Sequence, residues 1–238
     1  MTLEFRCRTV VGHRRDENQD TVRCESLAED AALVLVADGM GGHAGGATAS
    51  ETAGEAFTDH VLTSDWESDP TGVVEAAVES AHGAVREKAV ESPEKADMGC
   101  TLVGGVVTPN TAVLANVGDS RAYEITTEAT QLTTDQTLAN ELVQDGELDP
   151  EAADDHQLSS VLEQSVGGSE EIDPEIVDTE YDGVLLLCSD GLTDELSDDQ
   201  LLLGRQNGSL TDACEELVTA ANAAGGRDNI SVILVRDE

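Results

Sequence analysis

Seven stretches of the chain are apolar and short enough to be strands: residues 32–37, 101–107, 112–117, 121–125, 175–181, 183–188 and 230–236. Valine, isoleucine and leucine fill most of them, and glycine, asparagine or proline bounds them, as strand ends require. Pro109-Asn110, between the second run and the third, has the chemistry of a hairpin turn. A 3.6-residue period takes over in 47–62 and 72–90, which predicts two consecutive helices with alanine-rich faces. A third helix follows Ser197, whose spacing to Gln200 fits a capping box. A fourth covers 211–223 and stops ahead of Gly225-Gly226, and shorter helical pieces are expected at 137–144 and near 159–163.

Hairpin-linked strands in groups, with helices grouped apart from them, argue for α+β rather than alternating βαβ units. The arrangement that buries all of them is an α-β-β-α sandwich: two packed antiparallel sheets flanked by helices on both sides. At 238 residues the chain is long enough for one large core, and nothing in it reads as a linker, so a single domain over 1–238 is expected. Residues 145–156 are acidic and poor in large apolar side chains. They are expected to form an exposed excursion, part of a flap around 135–165 beside a site.

Charge changes the picture. Fifty acids stand against twelve bases, a net charge of −38, and only two lysines occur, Lys88 and Lys95. Nucleic acid and anionic membranes are therefore excluded as expected partners. A folded chain this acidic needs screening, and at roughly 1 M salt the Debye length shrinks to about 3 Å. A halophilic cytoplasm is the environment this predicts, with the acids dispersed over a solvated surface. The apolar run at 31–37 is too short for a membrane span and no leader is visible, so a soluble, intracellular protein is expected. Five cysteines, without a CxxC pair, are read as reduced.

The candidate chemistry lies in aspartates next to glycine or asparagine at the ends of apolar runs. Asp20 follows Asn18-Gln19; Asp38 follows Val34-Leu35-Val36-Ala37 and precedes Gly39-Met40-Gly41-Gly42-His43; Asp190 precedes Gly191; Asp228 follows Gly226-Arg227 and precedes Asn229. Alone, each is as readily a turn or helix-cap carboxylate. Together they pose a problem, because a carboxylate at a buried strand end is costly unless positive charge pairs with it. Convergence on hard divalent cations, which take oxygen ligands, solves it for all of them at once. Arg14-Arg15 lies just ahead of Asp20, and a guanidinium fork matches phosphate oxygens, although a surface ion pair also accounts for it. Gly118-Asp119-Ser120-Arg121 reads as a hairpin turn with an exposed carboxylate.

Taken in order, Gly12 to Asp20, Ala37 to His43, Gly118 to Arg121, Ser189 to Leu192 and Gly226 to Asn229 resemble the metal-dependent serine/threonine protein phosphatases, the protein phosphatase 2C family, in its compact bacterial form. The resemblance runs from Gly12 to Val235. It implies that Asp38 bridges two Mn²⁺ or Mg²⁺ ions, that Gly39 offers its carbonyl to one of them, and that Asp190 and Asp228 ligate the other. It implies that Asp20 reaches the metals largely through water, that Asp119 with Asp190 holds a weaker third ion, and that Arg15 grips the substrate phosphate. The chain departs from the family at Gln19, at Gly99-Cys100-Thr101, at Asp135-Gln136-Thr137, and in lacking an arginine near Gln164.

The implied reaction is attack of a metal-activated water on phosphoserine or phosphothreonine of proteins, substrates of a Ser/Thr kinase. His43 is the candidate acid for the leaving group, with a structural role in the glycine loop as the other reading. Two rival functions stand beside this one: a catalytically silent phosphatase-like module that docks a partner, and an acidic protein that buffers divalent cations. Retention of Asp20, Asp38, Asp190 and Asp228 argues against the first rival, and the second predicts no hydrolysis.

Overall fold

The computed structural model describes residues 2–41, 43–92, 95–153, 156–205 and 208–237, except for the side chains of His43, Ala44 and Glu151. Strands and helices are numbered along the chain. The run at 32–37 is the middle of β3 (Ala31–Met40), and its lack of polar alternation has a plain cause: both of its faces are buried. Leu33, Leu35 and Ala37 point at helices, whereas Ala32, Val34 and Val36 point at a second sheet.

β3 lies in a six-stranded sheet whose path runs β2 (Asp20–Ala28), β3, β5 (Leu102–Val107), β6 (Thr111–Val117), β9 (Glu175–Glu180), with the short β4 (Gly99–Cys100) paired to the end of β3. The facing sheet runs β1 (Leu3–Val10), β11 (Ile230–Asp237), β10 (Val184–Cys188), β7 (Arg121–Ile125), β8 (Ala129–Gln131). All pairings within them are antiparallel.

Helices α1 (His43–Thr63) and α2 (Pro70–Glu91) cover the outer face of the first sheet through Phe57, Val61, Val78 and Val85. Outside the second sheet lie α4 (Asp190–Thr193), α5 (Asp198–Leu201) and α6 (Leu210–Ala224), which bury Leu192, Leu201 and Leu217 against it. The α-β-β-α sandwich is thus the observed architecture. The capping box at Ser197 and Gln200 opens α5, and Thr137 caps α3 (Leu138–Gln144). Among the described residues no helix is long and apolar enough to cross a membrane.

Four strands escaped the sequence pattern: β1, β2, β4 and β8. β1 and β2 are outer strands whose helix-facing side carries charge, so they lack the unbroken apolar run of β3; Arg8 reaches Glu215 and Arg23 reaches Glu51. Residues 159–163 are not helical. Their backbone pairs with 136–138 instead, through Leu138 N–H to Val161 O at 2.9 Å and Glu163 N–H to Gln136 O at 2.9 Å. Gly118–Arg121 is not a hairpin turn either, since it carries the chain from β6 in one sheet to β7 in the other. Within the acidic stretch 145–156, residues 145–147, 149, 150 and 152 are exposed, Leu148 and His156 are half-buried, and Ala153 is buried.

Candidate metal centre

Antiparallel pairing sets Asp20, the first residue of β2, directly opposite Asp38 of β3. Asp38 therefore lies within its strand rather than one step past it. Asp190 opens α4 immediately after β10, and Asp228 sits two residues before β11, the neighbour of β10. Asp119 lies on the crossing between the sheets. One cleft of about 620 Å³ gathers Arg15, Asp38, Gly39, Asp119, Asp190 and Asp228 on its wall, together with Ser160, Val161 and Leu162. Asp20 lies behind that wall, 8% exposed. The side chain of His43 falls outside the described residues.

Backbone contacts hold this arrangement. Asn229, almost fully buried, donates to Val11 O and Glu17 O at 2.9 Å each and accepts from Gln19 N–H at 2.8 Å, so one side chain pins the whole loop that bears Arg15. Thr101 ties two acidic segments together: its hydroxyl accepts from Asp38 N–H at 3.1 Å and lies 2.7 Å from the Ser120 hydroxyl. Gly39 is required by close approach, because a Cβ there would collide with the Gly46 carbonyl. Gly191 is required likewise by the Asn229 carbonyl. Arg121 clasps Asp135 with three contacts of 2.6–2.9 Å, which anchors the start of the 135–165 segment beside Asp119.

The electrostatics are those of a site built for positive charge. Burial, then the neighbouring carboxylates, push Asp190 up to about 8 and Asp38 well above the ordinary carboxyl range. Burial likewise raises Asp119 to about 6, and Asp20 to about 6 despite hydrogen bonds from Ser231 and Ser189. Those two serines donate to one oxygen of Asp20, at 2.6 and 2.9 Å, while its other oxygen is buried without a hydrogen-bond partner. An oxygen of Asp190 is buried and unpartnered in the same way. Arg15 forms an ion pair with Asp228 and leaves about half its surface open to the cleft mouth.

Buried carboxylate oxygens with free lone pairs and mutual repulsion fit hard oxygen-seeking cations. Asp38, Asp190, Asp228, Asp119 and the Gly39 carbonyl could hold such ions. Among the described residues no three Asp, Glu, His or Cys side chains are drawn close enough to clasp one ion unaided. Asp194 was overlooked in the sequence; it lines an adjoining cavity of about 300 Å³ with Asp119 and Asp190. Asn229 and Thr101 were overlooked as supports. Their partners lie 19 to 218 residues away, so no local pattern points to them.

A double-sheet sandwich with an acidic, cation-type cleft at the strand ends and an arginine at its mouth defines a class of metal-dependent hydrolase. The chain belongs to the protein phosphatase 2C family, whose model matches residues 12–234. It is 36% identical to the protein phosphatase PhpP of Streptococcus pneumoniae, over 98% of this chain and 97% of that protein. The crystal structure of the Mycobacterium tuberculosis serine/threonine phosphatase PstP/Ppp superposes with a TM-score of 0.89 at 32% identity, covering 100% of both chains. A structure of the PstP catalytic domain in complex with two manganese ions gives a TM-score of 0.84 at 31% identity, covering 99% of this chain and 98% of that one.

Proposed function

We propose that this chain hydrolyses phosphoserine and phosphothreonine in proteins, with Mn²⁺ or Mg²⁺ as its resident cofactor. The observation that carries this reading is the convergence of Asp38, Asp119, Asp190 and Asp228 with Arg15 on one cleft, in a member of the protein phosphatase 2C family. The manganese pair in the PstP relative supports two ions here, held through Asp38, Asp190, Asp228 and the Gly39 carbonyl. Asp20 supports them from behind, and a weaker third ion falls to Asp119 with Asp190. Two such cations, when bound, would make a water nucleophilic near neutral pH and offset charge on the phosphoryl oxygens.

The protein's own groups supply the rest. Arg15 presents its guanidinium fork to two equatorial phosphate oxygens, a geometry that aligns phosphorus for in-line attack. Its ion pair with Asp228 ties that fork to the cleft wall. The Ser189 and Ser231 hydroxyls fix the inner oxygen of Asp20, so its free oxygen faces the acidic cluster. His43, the first residue of α1, is proposed to protonate the leaving serine or threonine oxygen. The 135–165 segment is proposed as a flap on a single domain spanning the chain, because Ser160, Val161 and Leu162 contribute to the cleft wall.

Substrates are proposed to be proteins phosphorylated by a Ser/Thr kinase, and the setting a salt-rich cytoplasm. Most acids among the described residues outside the cleft are exposed or half-buried, which leaves most of the negative charge where salt can screen it. The test is phosphate release from a phosphothreonine peptide in molar salt. Turnover that requires Mn²⁺ or Mg²⁺ and disappears in Asp38→Asn is expected; absence of turnover with Mn²⁺ in high salt would overturn the reading.

A further inference from the structure

β1 and β2 are outer strands, each paired on one side only, and they lie against each other along one open edge of the sandwich. Alternation along β1 turns Leu3 and Phe5 into the layer between the sheets, and Cys7 is next on that face. Arg8 turns the other way, to Glu215 of α6. On β2 the same parity sends Val22 and Cys24 inward, while Arg23 reaches outward to Glu51 of α1. Cys7 and Cys24 therefore face each other on the inner sides of these two contacting strands, at the open edge. Cys7 is exposed and Cys24 half-buried, whereas Cys100, Cys188 and Cys214 are all buried.

We propose that Cys7 and Cys24 form a peroxide-reactive dithiol, a modification site that closes to a disulfide tying the two sheets together at their open edge. Reactivity supports the geometry. The neighbouring Cys24 thiol, helped by the Arg6 guanidinium and opposed by burial, holds Cys7 down at about 7, and Cys7 together with burial pushes Cys24 up. Burial raises Cys188 and Cys214 to about 12, so Cys7 is the thiolate among them near neutral pH. Accessible low-pKa thiols with a resolving partner are the ones peroxide selects.

The chemistry balances without help from the acidic cleft. The Cys7 thiolate attacks one oxygen of hydrogen peroxide; the O–O bond breaks, and hydroxide leaves and takes a proton to become water. Cys7 is then a sulfenic acid. Cys24 gives its proton to solvent and attacks the Cys7 sulfur; the S–S bond forms, the S–O bond breaks and a second water departs. Two thiols lose two electrons and one peroxide gains them. The bridge closes the loop that carries Arg15 and ends at Asp20, so it encloses one wall of the cleft. The inference does not depend on the phosphatase reading.

The test uses the full chain, reduced, then treated with an equimolar amount of hydrogen peroxide, quenched with an alkylating agent and mapped by mass spectrometry. A Cys7–Cys24 linked peptide pair is expected, with two of the five thiols lost to alkylation and recovered with dithiothreitol. In Cys24→Ser the link is absent and Cys7 is trapped as a sulfenic acid by a 1,3-dione; in Cys7→Ser, Cys24 stays alkylatable at the same dose. Alkylation of Cys7 in the untreated protein is expected to reach half its maximal rate near pH 7. A link from Cys7 to Cys214, a link between two chains, or Cys7 oxidising no faster than Cys188 overturns the proposal. The wild-type linkage map decides alone should a serine variant misfold.

Discussion

The layer between the two sheets and the acidic cleft at its rim are both shielded from water, yet opposite forces stabilise them. Between the sheets, Val34, Leu114, Leu185, Leu187 and Ile233 are fully buried and need nothing but contact with one another. At the rim, Asp20, Asp38 and Asp190 are crowded together, and their negative charge is tolerable only with a proton or a cation beside it. The sandwich is complete in itself, whereas the cleft is completed from outside. Substitutions in the two regions should therefore separate stability from activity.

Asp38→Asn should give the largest effect. It removes the carboxylate that faces Asp20 and the other acids of the cleft, and turnover is expected to fall by at least about 10³-fold. The amide removes one negative charge from a crowded acidic cluster, so the metal-free fold should survive and its thermal midpoint should not drop. Addition of Mn²⁺ should no longer raise that midpoint. Circular dichroism melts beside phosphate release decide the matter: loss of fold together with activity would break the contrast.

Leu187→Ala is the converse. Leu187 is wholly buried between the sheets, and its truncation is expected to cost about 2–5 kcal/mol in denaturant unfolding. Mn²⁺ affinity, read by calorimetry below the unfolding range, should stay within a factor of about two of wild type, because the cavity opens behind the acidic cluster rather than in it.

The same contrast governs what could be read from the chain. β3, β10 and β11 announce themselves as unbroken apolar runs because both of their faces are covered. β1 and β2 do not, since their outward residues must pair with acids on α6 and α1. The aspartates of the cleft were legible through the glycines and asparagine beside them, which mark where backbones crowd. Their supports were not. Asn229 looks like any turn residue until Val11 and Glu17 are seen to end on its amide, and Thr101 looks like part of a strand until Asp38 and Ser120 close on its hydroxyl. The crossing at Gly118–Arg121 was misread for the same reason: a tight turn does not disclose which sheet its strands join.

The rim also predicts an unusual pH dependence. Asp20 and Asp119 are held at about 6 and Asp190 at about 8, all above the ordinary carboxyl value of about 4. Raised carboxyls mean the folded state binds protons more tightly than the unfolded chain does. Their contribution to stability is complete below about pH 4 and is lost as pH climbs through 6 and then 8. Melting temperature of the metal-free protein is thus expected to decline over that interval at constant high salt. Saturating Mn²⁺ should flatten the decline and release protons as it binds, seen as a buffer-dependent heat. A pH-independent melt without metal would remove the cleft from the comparison.

Arg15→Lys should produce the smallest change, and it probes the boundary between the two regions. Arg15 pairs with Asp228 but is about half exposed, so the ion pair itself is worth no more than about 1 kcal/mol and stability should barely move. Lysine keeps the charge and loses the planar fork, so two phosphate oxygens can no longer be gripped at once. The expected result is a KM for phosphopeptide raised about tenfold with kcat changed far less, because ground state and transition state lose the same contact. A comparable fall in kcat with KM unaltered would mean that Arg15 acts only on the developing charge. A melt lowered by several degrees would mean that its pairing with Asp228 belongs to the scaffold, and the line drawn between sandwich and cleft would then have to move inward past the loop that Asn229 pins.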